Sequence, residues 1–150
     1  MKRRIVVAVV LAVLMAASAH AQTTDFLELV KTGTPQSVRA AIGKGADVKA
    51  RNNVGATPLV FAVWYNQNPE VITTLLGAGA DVEAQDVVGK TVLMYAAQFN
   101  QNPEVITTLL KAGAEAKAKD KRGLTAFDYA QGNADLKGTD AYWKLSEAQY

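Results

Sequence analysis

The chain has 150 residues, with 16 basic and 14 acidic side chains, one histidine and no cysteine. Without thiols there can be no disulfide framework, no thiolate nucleophile and no cysteine-liganded metal. The lone imidazole, His20, falls in an N-terminal segment that reads as removable, which takes imidazole catalysis and histidine-liganded metals away as well.

That segment opens the chain. Lys2, Arg3 and Arg4 precede an uncharged apolar run of 13 residues from Ile5 to Ala17, then Ser18-Ala19-His20-Ala21. Such an order predicts a secretory signal peptide over residues 1–21, cleaved after Ala21. The apolar run is too short to cross a bilayer, which takes about 20 helical residues. Three basic residues and no acids lie within 1–21, so 13 basic and 14 acidic residues remain, a net charge of about −1. Overall charge therefore gives no case for nucleic acid as a partner, and no membrane contact is expected after cleavage.

Residues 22–52 predict a helix pair carrying Phe26, Leu27, Leu29 and Val30, then Val38, Ala41 and Ile42, and ending at Gly45-Ala46-Asp47. In residues 53–86, Leu59, Ala62 and Val63 mark one face of a short helix begun at Thr57. Asn66 is expected to close it in the left-handed region, which asparagine tolerates. Asn68-Pro69-Glu70 then combines an N-cap residue, a proline at the first helical position and an acid in the first turn, a start signal for a second helix. Val71, Ile72, Leu75 and Leu76 form its apolar side, with Thr73 and Thr74 opposite, and Gly79 supplies the left-handed stop. Residues 80–89 read as an extended, turn-rich loop.

Residues 87–120 repeat this order. The eleven residues Asn66 to Leu76 recur letter for letter as Asn100 to Leu110, 34 positions on. Gly45-Ala46-Asp47-Val48 returns as Gly79-Ala80-Asp81-Val82 and Gly113-Ala114-Glu115-Ala116, and Gly55-x-Thr57 as Gly89-x-Thr91 and Gly123-x-Thr125. A fixed period of this length is the signature of a stacked array whose units cannot bury their apolar faces alone. Residues 121–150 begin in phase, depart between Asn133 and Gly138, and resume with Thr139 as N-cap of a last helix bearing Tyr142 and Leu145.

The G-x-T-P-L start, the following alanines and the V-x-x-L-L-x-x-G-A-D-V ending together resemble the ankyrin repeat over about residues 25 to 150. The resemblance implies an all-α solenoid of stacked helix-turn-helix units joined by β-hairpin-like loops: a cap repeat (22–52), two full repeats (53–86 and 87–120) and a second cap (121–150). Two departures stand out. One residue is added in the turn Asn66-Gln67-Asn68-Pro69, and Val60, Met94 and Asp128 take the place of the family's usual histidine, so that residue's hydrogen bonds cannot form.

The same resemblance implies that partners meet the hairpin tips and the exposed ends of the first helices. Carried over by position, this gives Arg51, Asn53, Val54, Gln85, Val87, Val88, Lys90, Lys119, Lys121 and Arg122 on the loops, with Ala56 and Leu124 beside them, and Trp64 and Gln98 on the helices. Trp64 could anchor a partner or fold over a neighbouring helix. Tyr65 and Phe99 are expected to fill space beside the Asn turn. Lys117, Lys119, Lys121 and Arg122, interrupted by Asp120 and facing Glu115, read as a solvated charged edge, with a patch for an acidic partner as the alternative.

The function expected is an exported, non-enzymatic module, periplasmic or secreted, that docks one protein through its concave face and hairpin tips and stabilises or inhibits it. A monomer without cofactor is expected. The competing readings are an envelope glycan hydrolase working with carboxylates alone and a structural protein that self-assembles through its repeat ends.

Overall fold

The computed structural model describes residues 25–148. The predicted signal segment lies outside the described residues. Within them are eight helices, paired in four units: α1 (25–32) and α2 (Pro35–Gly43), α3 (Pro58–Tyr65) and α4 (Pro69–Gly77), α5 (Val92–Phe99) and α6 (Pro103–Lys111), α7 (Ala126–Ala130) and α8 (Asp140–Glu147). None is long and apolar enough to cross a membrane. The chain is thus the all-α solenoid that the period predicts.

Local chemistry sets each boundary. Thr57, Thr91 and Thr125 cap α3, α5 and α7, each side chain accepting a bond from the backbone N–H three residues on. Asn68 and Asn102 cap α4 and α6, each accepting the backbone N–H two residues on, from Glu70 and Glu104, with proline in the first turn of both. Gly45, Gly79 and Gly113 follow α2, α4 and α6 at φ of 97°, 90° and 95°, a region only glycine enters without strain.

The odd-numbered helices α3, α5 and α7 pack in one row and the even-numbered α2, α4, α6 and α8 in another. Leu59, Ala62 and Val63 from the first row, and Val71, Ile72 and Leu75 from the second, are fully buried between them, as are their counterparts Leu93, Ala96, Ala97, Val105, Ile106 and Leu109. Leu76 and Leu110, expected in the core, are only half-buried.

The turn between the helices behaves differently from its sequence reading. Asn66 is extended, at φ −100° and ψ 124°, and no non-glycine residue among those described has a positive φ. The reason is a better use for its side chain. Asn66 Nδ2 donates backwards to the carbonyls of Val30 (3.1 Å) and Gly33 (3.0 Å) in the preceding unit, while its Oδ1 accepts from its own Asn68 N–H. Asn100 repeats this with Val63 and Asn66, and Asn133 repeats it with Ala97 and Asn100. Three buried asparagines therefore stitch four units together, the last within the stretch where the sequence leaves the repeat. Two of the three missing histidines are replaced as well: Met94 Sδ accepts the Thr91 N–H at 3.4 Å, and the Asp128 carboxylate accepts both the N–H and the hydroxyl of Thr125.

Candidate interaction surface

Three hairpin-like loops, here called fingers, project at residues 49–56, 83–90 and 117–124. One side chain shapes each. Asn52 Oδ1 accepts the backbone N–H groups of Val54 and Ala56, Asp86 Oδ1 those of Val88 and Lys90, and Asp120 Oδ1 those of Arg122 and Leu124. Successive fingers touch through a backbone bond, Val87 N–H to the Val54 carbonyl and Lys121 N–H to the Val88 carbonyl, both 3.0 Å.

Fingers are joined to helices wherever the central residue is an acid. Tyr95 donates to Asp86 Oδ2 at 2.7 Å, and Tyr129 donates to Asp120 Oδ2 at 2.7 Å. Finger one has Asn52 and, in place of the tyrosine, Phe61, so neither member of the pair is present there. Burial, followed by the bond to Asp86, raises the Tyr95 phenol above its ordinary range, and burial with the Asp120 bond does the same for Tyr129.

Between the fingers and the first-row helices runs a strip of rings and cations. Trp64 stacks on Tyr65 (centroids 5.1 Å) and on Phe99 of the next unit (4.7 Å), and tilts against Tyr95 (5.4 Å). Lys31 Nζ lies 5.1 Å from the Phe61 centroid and 5.2 Å from that of Tyr65. Lys90 Nζ lies 4.1, 4.8 and 4.3 Å from the rings of Tyr95, Phe99 and Tyr129. Each such contact is worth about 0.5–2 kcal/mol, depending on how far the cation is desolvated.

The sequence-derived candidates separate on this surface. Val54, Val87 and Val88 are 51%, 55% and 51% exposed, and Asn53, Gln85 and Lys119 are also exposed. Arg51 and Lys121 are exposed but already bonded across the fingers, Arg51 to the carbonyls of Gly55 and Gln85 and Lys121 Nζ to that of Val87. Arg122 pairs with Asp120 and donates to Tyr129 Oη. Trp64 does fold over the neighbouring helix and stays half-buried. Tyr65, expected to be packed, is 47% exposed, whereas Phe99 is half-buried against Trp64. Ala56 is buried and Leu124 half-buried.

Lys90 departs furthest from its expected place at a fingertip: it is 7% exposed and donates to Gln98 Oε1, which occupies that half-buried side chain too. Its counterparts in the other fingers are Ala56 and Leu124, an apolar position that a lysine can share only because three rings and Gln98 enclose its ammonium. Burial lowers its pKa to about 8 from the ordinary 10.5, against a smaller opposing pull from Asp86. The folded protein thus sheds a proton that the unfolded chain still holds, so stability should rise with pH between about 8 and 10.5. We expect a gain of about 1.5 kcal/mol, less than full linkage because the ammonium is not wholly desolvated. Above pH 10 the raised tyrosines reverse the trend, because their stabilisation is lost once the unfolded phenols ionise. Urea titrations of wild type and Lys90→Met across this range check it; a variant that keeps the alkaline rise would refute the assignment.

A cavity of about 630 Å³ lies elsewhere, between α2 and α4 beside Arg39, Glu70 and Thr74. Among the described residues no cluster of three His, Cys, Asp or Glu could hold a metal.

Stacked helix pairs, threonine-capped first helices and laterally bonded fingers define the class: a helical repeat solenoid built around a ladder of shared packing. A family model for ankyrin repeats, three copies, matches residues 65–137, just under half of the chain, and supports the ankyrin repeat family. The matched stretch begins at the end of α3, yet the α1–α2 pair and the first finger continue the same architecture ahead of it. None of the curated proteins matches the chain. Ankyrin repeats are generally protein–protein interaction modules.

Proposed function

We propose that this chain is an exported, non-enzymatic docking module, periplasmic or secreted, that holds one partner protein against its first-row helices and fingertips. The observation that carries this reading is the exposure of apolar side chains at the places the family uses for contact: Val54, Val87 and Val88 on the fingers, and Tyr65, 47% exposed and stacked on Trp64, at the end of α3. Exposed large apolar groups are what a solvent-facing surface limits and an interface uses. Catalysis finds less support, because the carboxylates nearest the strip, Asp86 and Asp120, are committed to backbone and tyrosine donors.

Trp64→Ala, which removes the ring bridging two units, should weaken capture of the partner from envelope extract by at least about tenfold, the scale of an aromatic anchor. Val87→Lys with Val88→Lys should do the same. Undiminished capture by both variants would place the interface elsewhere. Export has its own readout: mass spectrometry of protein made in a secreting host should find Gln22 as the first residue, and a chain retaining residues 1–21 would overturn it. Light scattering should give a monomer; growth of the particle with concentration would favour the self-assembling reading.

A further inference from the structure

Each finger presents the same edge to the next. A Cβ added to Gly55 would sit 3.3 Å from the backbone of Asp86 and Val87, and one added to Gly89 3.3 Å from Lys121 N, because the following finger lies against each glycine. The carbonyls of Val54 and Val88 accept that finger's N–H, and Arg51 reaches across to the Gln85 carbonyl at 2.8 Å. On finger three the corresponding groups are Arg122 C=O, Gly123 and Lys119. The Arg122 carbonyl accepts no backbone bond among the described residues, and a Cβ on Gly123 would meet nothing within 4 Å. A groove of about 360 Å³ opens there, lined by Lys117, Lys119, Gly123, Thr125 and Asp128.

Its charge is one-sided. Lys117, Lys119, Lys121 and Arg122 are all exposed, whereas Asp120, which interrupts them in sequence, is buried, with its oxygens taken by backbone, tyrosine and arginine donors. The opposing carboxylates are Asp128, which accepts both Thr125 donors, and Glu115, which accepts the Lys117 N–H. Among the described residues, neither the Lys117 nor the Lys119 ammonium takes part in a hydrogen bond or ion pair. The chain itself shows what such an edge takes. Finger one is covered by finger two, whose Val87 N–H donates to the Val54 carbonyl while Arg51 reaches the Gln85 carbonyl.

We propose that the open edge of finger three binds an acidic, extended segment of a partner protein, which adds to the row as a fourth finger. The segment donates a backbone N–H to Arg122 C=O, and its carboxylates meet Lys117 and Lys119. This site is separate from the aromatic strip and does not depend on it.

The probe is a synthetic peptide with the sequence of residues 81–90, DVEAQDVVGK, titrated into the isotopically labelled protein and followed by amide chemical shifts. Shifts should centre on residues 117–124. A peptide with Asp81→Asn, Glu83→Gln and Asp86→Asn keeps the turn-forming acceptor, as Asn52 does, and should bind at least tenfold more weakly. Lys117→Glu with Lys119→Glu, both at exposed side chains without bonds, should weaken the acidic peptide equally while leaving the spectrum folded. Equal binding of the neutral peptide, shifts centred on α3 and α5, or no shifts at millimolar peptide would each overturn the proposal. So would movement of the same amides with protein concentration alone, which would make the occupant a second copy of this chain.

Discussion

Asn100→Ala should cost about 4 kcal/mol of folding stability, the largest loss from any single polar substitution in this chain. The residue is fully buried, and its amide serves two units at once. Nδ2 donates to the carbonyls of Val63 at 2.7 Å and Asn66 at 3.1 Å, and Oδ1 accepts the Asn102 N–H at 2.9 Å. Alanine leaves two carbonyls and one N–H without a partner, and each stranded buried group costs about 1–3 kcal/mol. Asparagine loses little side-chain entropy on ordering, so little is regained. Asn66→Ala and Asn133→Ala should cost about half as much, because the end units can relax and a repeat array transmits strain only between neighbours. Denaturant unfolding followed by helical circular dichroism measures all three; a loss below about 1.5 kcal/mol for Asn100→Ala would show that the ladder is incidental.

The ladder also marks where the sequence stops being readable. Period, helix starts and glycine stops follow from local chemistry: Asn68-Pro69-Glu70 starts a helix whatever surrounds it, and Gly79 must take a conformation that few other residues can. Asn66 does not yield to the same reasoning. Its local options include both a left-handed stop and an extended turn, and the choice is made by carbonyls 33 and 36 residues upstream. Asn133 looks like a departure because one residue is lost before it, yet it fills the same place in space. Two other features left a trace in the aligned repeats. Asp86 with Tyr95 and Asp120 with Tyr129 keep their partners, whereas Asn52 goes with Phe61, a joint change that marks a contact. Lys90 stands between Ala56 and Leu124 at an equivalent, inward-facing position, so its burial was foreshadowed by its neighbours' types but not by its own. The exposure of Tyr65 left no such trace, because Phe99 in its place differs only by a hydroxyl and is covered by a tryptophan from the preceding unit.

Asp120→Ala should cost about 3 kcal/mol at neutral pH, for a different reason. Its carboxylate collects donors from three directions: the N–H groups of Arg122 and Leu124, the Tyr129 hydroxyl, and the Arg122 guanidinium at 3.3 Å. Bonds to an ionised acceptor are worth about 1.5–3 kcal/mol each when it is removed, less where the donor can turn to water, as the exposed Arg122 can. Burial alone would push this carboxyl up; the bonds from Tyr129, Leu124 and Arg122 outweigh it and hold it at about 2, below the ordinary 3.8. A depressed folded value means that the stabilisation is complete above pH 4 and is withdrawn as pH falls through about 2. The wild type should therefore lose stability between pH 4 and 2, and Asp120→Asn should flatten that part of the profile. Asparagine can keep the finger's turn, as Asn52 does in finger one, so Asp120→Asn should cost roughly half of what alanine does at pH 7. The pair of variants separates the two roles of this side chain. If Asp120→Asn proves as damaging as Asp120→Ala, the charge that receives Tyr129 dominates; if it is silent at every pH, the turn alone holds finger three against α7.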